Sequence, residues 1–516
     1  MGERRGREKR WRGRRPGGPA SFRMNFLKNA MSSLLEDQSA FTDLTQVAVV
    51  DADACLSVLA HRHSKGAVYT RCGPMLIALN PYREVPGLYA AHVLEEHLCL
   101  SPGDEPPLPH VYGTAARAYN HAMSSGTDQA VIISGESGAG KTETARHIIS
   151  FLADAACSTD NTLHARIIAT NPITEAFGCA QTVRNDNSSR FGKFVMLEFS
   201  KCGRLSGASL KTYLLEKSRT VHVAPGEANF HAFYLACAGQ PKRQLFAYGV
   251  PEGIPPHTHF AYLQPQEAPL TRELEHDREG FARLVDALES AGVDGSQLEE
   301  IWRVLLSILH LGNIGFGEGE EAAVDGVDNG RAIEFACMLL GVESVTLLKA
   351  VCARRFKAGT EWVNTTNTPE QASEVRSALA KQLYATLFDW VIETVNASLA
   401  APPGAEAGGT RIGCVDIFGF ENFEHNSLEQ LCINFANEKL QRLFLSTLFE
   451  ATAAMYRDEG LHVEHTSYVD NQPVVDLIGG NPTSLMAMLT EECIFPKGSD
   501  VLYLQKVARP ASPPPP

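Results

Sequence analysis

The chain has no apolar run approaching the roughly 20 residues that cross a bilayer as a helix, which argues against a membrane-embedded class. None of its 12 cysteines forms a Cys-x-x-Cys pair, and no secretory leader opens it. That scatter predicts free thiols in a reducing, cytoplasmic compartment rather than a disulfide framework or a thiolate metal site. His61 and His63 flank Arg62, but no cysteine or acid stands at ligand spacing, so no metal centre is expected there. Positive charge is also in deficit. Against 60 Asp and Glu there are 46 Lys and Arg, a net charge of −14, which argues against a nucleic-acid-binding surface on the body of the protein. What remains, 44% hydrophobic and 21% charged, is ordinary globular material, long enough for two to four lobes.

The ends depart from this average. Residues 1–23 hold nine Arg or Lys against two Glu. We read 1–37 as a basic, disordered N-terminal tail or an over-extended gene start. Anionic-lipid binding and nuclear targeting are the functional alternatives. A mitochondrial presequence would carry fewer acids. Residues 508–516 form a Pro-rich tail, disordered or polyproline II, with an SH3-ligand role as a further possibility. The folded body is expected to lie between them, over 38–507.

Within the body, Gly135-Glu136-Ser137-Gly138-Ala139-Gly140-Lys141-Thr142 follows the apolar run Ala130–Ser134 and precedes a helical pattern. Ala145, Ile148, Ile149 and Leu152 recur at the spacing of one helix face. Strand, glycine turn, helix is the arrangement that points backbone N–H groups and a helix N-terminus at an anion. Lys141 can reach the outer phosphates and the Thr142 hydroxyl can ligate Mg²⁺, which makes this a nucleoside-triphosphate site. Kinases, small GTPases, transporters and motors share the pattern.

Two later segments bear on the class. Asn185-Asp186-Asn187-Ser188-Ser189-Arg190-Phe191-Gly192-Lys193-Phe194 reads as a polar loop able to offer a second hydroxyl to a metal, and equally as an ordinary surface turn. It leads into a strand, Val195–Phe199. In Val415-Asp416-Ile417-Phe418-Gly419-Phe420-Glu421 an apolar strand, Ile412 to Val415, delivers an acid, a glycine and a second acid. The first acid suits a metal held through water, and the glycine N–H can approach a terminal phosphate; a buried acid in a turn is the plain alternative.

Together the three strings GESGAGKT, NDNSSRFGKF and DIFGFE resemble the myosin motor family. The resemblance extends through Tyr69–Tyr82, Asn171–Gly178, Tyr213–Arg219, Asn229–His231, Leu309–Ile314, Ala378–Lys381, Leu387–Trp390 and Ser427–Leu440, and its limits fall near Asp43 and Val507. It implies an α/β fold: a P-loop NTPase core with a mixed twisted β-sheet and surrounding helical lobes. It implies ATP and Mg²⁺ as cofactors, an actin filament as partner and a cytoskeletal location. By this resemblance Lys141 and the backbone from Gly135 through Thr142 cradle the phosphates. Thr142 and Ser189 ligate Mg²⁺, with Asp416 acting through water. Asn185 touches the inner phosphates, Ser188 positions the attacking water, and the Gly419 N–H bonds the γ-phosphate. Arg190 and Glu421 form a salt bridge that closes the pocket. Catalysis of this kind is positioning plus charge stabilisation. Asn80, Pro81 and Tyr89 resemble the adenine-contacting loop, although the family's tyrosine usually comes one residue earlier. Arg354–Pro369 stands where the family has an actin-facing loop, with Thr360 or Glu361 at its acidic or phosphorylatable position, and reads equally as a solvated turn. The family usually has Asn and Lys at Cys179 and Gln181, Asp at Ser377 and Thr490, and Arg at Ala228; none of these supplies a group needed at phosphorus.

From Ser427 to Glu459 there is no glycine or proline, which predicts a helix about 50 Å long. Leu440, Phe444, Leu448, Ala451 and Met455 would form its apolar stripe. It reads as a long core helix or, in the resemblance, as the relay that carries a shift at the γ-phosphate to a distant lever. No converter, lever or light-chain motif follows, and the family places an inner strand of the sheet in that missing part. The expectation is a C-terminally truncated motor head that is poorly stable alone. Two function readings are carried: an Mg-ATPase head of an actin-based motor, and a truncated nucleotide- or actin-binding protein without productive cycling. An unrelated P-loop kinase is disfavoured by the full set of strings.

Overall fold

The computed structural model describes residues 41–508 except 48–50, 102, 105–107, 157–160, 184, 252–255, 265–273, 318, 325–326, 359, 402–408, 423, 425, 462–467, 481 and 496–497. The expected basic and Pro-rich tails lie almost wholly outside the described residues. The chain divides into two compact units, one ending at Ala116 and the other beginning at Arg117.

In the first unit Asp51 caps the helix Ala52–Ser64, its carboxylate accepting from the Ala54 N–H. The hairpin of β1 (Tyr69–Cys72) and β2 (Met75–Ala78) follows. Arg62, near the end of that helix, holds the hairpin by donating to Thr70 Oγ1 and to the Tyr69 carbonyl, each at 2.9 Å. An aromatic cluster gathers Tyr69, Tyr89, His97, His110 and Tyr112, with the Tyr69 and Tyr89 hydroxyls 2.7 Å apart.

The strands of the second unit are β3 (Gln129–Ile133), β4 (Cys179–Thr182), β5 (Asn185–Ser189), β6 (Gly192–Phe199), β7 (Leu205–Tyr213), β8 (Ala353–Ala358), β9 (Glu361–Thr366) and β10 (Arg411–Asp416). Its central sheet has the order β3-β10-β6-β7. β3 and β10 are parallel, whereas β10–β6 and β6–β7 are antiparallel, so the sheet is mixed as expected. Alternation along β6 buries Val195, Leu197 and Phe199. Among the described residues β3 has no strand partner on its other edge, and Ile132 is 42% exposed.

Helices pack around this sheet. Thr368 and Gln371 form a capping box, with Pro369 in the first turn, at the head of the helix Pro369–Leu399. That helix buries Tyr384, Phe388, Val391 and Val395. The Tyr384 hydroxyl donates to the Phe177 carbonyl at 2.6 Å, and its ring stacks on Phe230. Asn396 clamps β7 by exchanging both hydrogen bonds with the Leu210 backbone, at 2.7 and 2.8 Å. Among the described residues no single helix is long and apolar enough to cross a membrane.

Two expectations are corrected. The segment expected as a polar loop from Asn185 is strand β5, because antiparallel pairing with β4 takes up its backbone groups. The long helix after Ser427 forms, but in three pieces: α-helix Leu428–Leu445, a π-helical turn Ser446–Glu450 and α-helix Ala451–Asp458. A π-turn adds residues to the turn and shifts the phase of everything beyond it. The predicted stripe does not continue through it: Leu445, just before the turn, is buried, and Ala451 and Met455 beyond it are exposed.

Candidate functional site

β3 ends at Ile133, and the chain turns through the glycine loop into the helix Lys141–Ala155. Gly140 makes the entry with φ 89° and ψ 23°, a left-handed conformation that costs glycine little and other residues much. The helix buries Ala145, Ile148, Ile149 and Leu152, the face read from the sequence. Its hold on the sheet fixes where the loop's N–H groups point. The Lys141 ammonium lies back across the loop, donating to the carbonyls of Gly135 at 2.9 Å and Glu136 at 2.8 Å. Burial lowers its pKa, while Asp416, Glu421 and Glu136 oppose that shift.

Three distant segments meet at Thr142. Its hydroxyl donates to Asp416 Oδ2 at 2.8 Å and stands 3.4 Å from the Ser189 hydroxyl. Asp416 is the last residue of β10, and the parallel pairing of β10 with β3 sets it opposite Ile133, beside the loop. Burial raises its carboxyl pKa, and Thr142, Lys193 and Lys141 pull it back down. Two hydroxyls and a carboxylate are hard oxygen donors, the set that suits Mg²⁺. The Cys179 thiol touches Ser189 Oγ at 3.7 Å, but burial pushes its pKa up to about 12, which keeps it a neutral neighbour rather than a thiolate ligand.

Gly419 completes the ring of segments. A side-chain carbon at that position would overlap the Gly135 carbonyl and the Glu136 backbone, so only glycine allows this approach. Two residues on, the Glu421 carboxylate receives Arg190 Nη1 at 3.0 Å and Nη2 at 3.5 Å, and Arg190 Nη1 is also 3.5 Å from Ser188 Oγ. The expected Arg190–Glu421 pair is thus formed and buried, with both side chains under a tenth exposed. Burial opposes the guanidinium charge, but the carboxylates of Glu216 and Glu421 outweigh it and raise the pKa of Arg190.

The remaining expected residues stand on other elements. Asn185 exchanges hydrogen bonds with Asn187, and among the described residues none joins it to the phosphate loop. Asn80, Pro81 and Tyr89 belong to the first unit; Asn80 Oδ1 accepts from the Tyr82 N–H at 2.9 Å. Thr360 and Glu361 sit on the exposed β8–β9 hairpin, where the Arg355 guanidinium lies 4.5 Å from the centre of the Trp362 ring.

The structure adds residues to which the sequence assigned no role. Lys193 is paired with Asp416 in the β6–β10 register and is buried, its ammonium donating to Asn171 Oδ1 at 3.0 Å and Thr174 Oγ1 at 3.4 Å. Burial lowers its pKa, and the charges of Asp416 and Glu175 counter it. A cavity of about 10 Å³, room for at most a single water, lies among Thr142, Arg146, Asn171, Lys193 and Asp416. From the long helix, Asn434 holds the Glu421 backbone at both ends, accepting from its N–H and donating to its carbonyl, each at 2.8 Å. Asn437 donates to the Phe418 carbonyl at 3.1 Å. All lie inside strings shared with the family, but nothing local marks their partners.

The sequence profile of the myosin head (motor domain) family matches residues 41–513. Similar proteins include Myosin-8 of Arabidopsis thaliana, 36% identical over 477 residues. Protein OPAQUE1 of Zea mays is also 36% identical over 477 residues, and Myosin-16 of Arabidopsis thaliana 36% identical over 473. The alignments cover 91%, 90% and 90% of this chain but only 31%, 30% and 37% of those relatives.

Proposed function

Because the chain belongs to the myosin motor-domain family, we propose that its second unit binds Mg-ATP and hydrolyses it as the nucleotide-handling part of an actin-based motor. The observation that carries this is the meeting of Thr142 with both Ser189 and Asp416, beside a Gly419 that fits only as glycine against Gly135. In this reading the backbone from Gly135 to Thr142 and the Lys141 ammonium hold the phosphates, with Asn185 at the inner ones. Thr142 and Ser189 would hold Mg²⁺, with Asp416 supporting it through water. The metal supplies charge neutralisation on the phosphate oxygens. Ser188 orients the attacking water and the Gly419 N–H bonds the terminal phosphate. The Arg190–Glu421 pair shuts out bulk water.

Asn434 and Asn437 then give the reading a route outward. They join the loop carrying Gly419 and Glu421 to the helix starting at Leu428, so a small displacement at that loop turns the rod. Asn80, Pro81 and Tyr89 are assigned to adenine, and the β8–β9 hairpin with Thr360 and Glu361 to an actin filament, in a cytoskeletal, cytoplasmic setting.

The test is equilibrium titration of the full chain with a fluorescent ATP analogue, with Mg²⁺ and with chelator. Saturable, Mg²⁺-strengthened binding is expected, and Lys141→Ala should weaken it by about 100-fold, the loss of a charge-assisted contact to phosphate. A folded wild-type chain that shows no saturable binding overturns the proposal.

A further inference from the structure

We infer that Glu216 is a positioning residue: it grips Arg190 by its Nε edge so that the opposite Nη edge can close on Glu421 and release it. This rests on the proposed role of the Arg190–Glu421 pair and names the part that stays still while that pair opens. Glu216 Oε2 accepts from Arg190 Nε at 2.8 Å, and the Glu216 backbone N–H donates to the Arg190 carbonyl at 3.0 Å. Side chain and main chain thus fix the same partner.

Glu216 is itself anchored away from the moving loop. Arg219 Nε donates to Glu216 Oε2 at 2.6 Å. Arg219 in turn reaches Glu227 Oε2 at 2.7 Å and the Ala228 carbonyl at 2.9 Å. Glu421 is held from a different element: Asn434 takes its backbone, and Gln430 reaches its carboxylate at 3.4 Å. Arg190 therefore joins the segment Glu216–Ala228 to the loop held by the long helix, beside a second link in which Glu429 of that helix hydrogen-bonds Ser218.

The charges agree with this division. Without Glu421, the guanidiniums of Arg190 and Arg219 still face the carboxylates of Glu216 and Glu227. Opening the pair leaves no buried guanidinium without a counter-charge, so the charge that must find water on opening is the Glu421 carboxylate alone. Burial alone would push the Glu216 carboxyl up, but Arg219 and Arg190 pull it below its ordinary value, so it stays a carboxylate throughout. Arg190 keeps its orientation in both arrangements, and closure requires only the return of Glu421.

The test is proton exchange at the Arg190 Nε–H, read by arginine side-chain NMR on the full chain without nucleotide. Glu421→Ala should leave that exchange within about 3-fold of wild type, whereas Glu216→Ala should speed it at least 10-fold with the backbone amides of β6 and β7 unchanged. If Glu421→Ala frees the Nε–H as much as Glu216→Ala, or if Glu216→Ala accelerates exchange everywhere alike, the inference fails. Should Glu216→Ala not fold, the Glu421→Ala result decides alone. Because no nucleotide is present, failure here is separate from failure to bind ATP.

Discussion

Thr142 and Asp416 lie 274 residues apart in the chain and share a 2.8 Å hydrogen bond, the threonine hydroxyl donating to Oδ2. The bond exists because β3 and β10 run parallel and end together, one delivering the glycine loop and the other the acid. With its proton given to Asp416, that hydroxyl can accept from the Ser189 hydroxyl 3.4 Å away.

Thr142→Val keeps the shape and removes the hydroxyl. Nucleotide affinity in Mg²⁺ should fall by about 30-fold, roughly 2 kcal/mol, while affinity in chelator stays nearly unchanged. Titrations of both proteins in both buffers measure this. Equal losses with and without metal would mean the hydroxyl contributes to the fold or the phosphates rather than to the cation.

What was legible in the sequence follows from how local each signal is. The phosphate loop is readable because strand, turn and helix signals occupy adjacent residues and agree with one another. Asp416 and Glu421 are readable as acids near a glycine. Lys193 is visible in the same string as Ser189, yet its partner Asp416 is set by the β6–β10 register, which no local pattern encodes. Glu216 stands 26 residues from Arg190, and only the path of β6 and β7 brings them together. The π-turn at Ser446–Glu450 is the clearest miss: its residues suit an α-helix, and the distortion has no compositional mark.

His310 sets an acid limit on stability. Its Nε2 lies 2.7 Å from the Tyr248 carbonyl, and its ring is packed against Phe260 and Phe335. Burial drives its pKa down to about 4, with the Tyr248 bond opposing. The unfolded chain, with an ordinary histidine, takes up the proton first, so stability is complete above about pH 6.5 and is lost as pH falls toward 4. Thermal unfolding followed from pH 7 to 4 should decline by up to about 3 kcal/mol from this group, and His310→Gln should flatten that limb. An unchanged slope in the variant would remove His310 as the cause.

Among the described residues β3 has no strand partner on one edge, which bears on how firmly the sheet holds. Ala130 and Ile132 are exposed on the strand that delivers the phosphate loop. An edge of this kind leaves backbone donors and acceptors to water and invites pairing with another chain. Residues 1–516 alone should unfold below about 45 °C, the low end for mesophilic domains, and Ile132→Lys should reduce aggregation on heating. A cooperative transition well above that temperature would show that the edge is not the weak point.

Asn434 is the joint between the acid loop and the rod. Its two 2.8 Å bonds fix the Glu421 backbone to the helix that opens at Leu428, which predicts that the loop and the helix shift together. Asn434→Ala leaves a backbone N–H and a carbonyl without those partners, at a cost of about 2 kcal/mol in stability. The more telling effect is on coupling. A fluorophore at Cys493, an exposed thiol beyond the rod, should report ATP-analogue binding in the wild type and lose most of that signal in Asn434→Ala, while the affinity itself changes by less than about 5-fold. A signal that survives the substitution would mean that the displacement reaches the rod by another path, with Asn437 and its bond to Phe418 the next joint to remove.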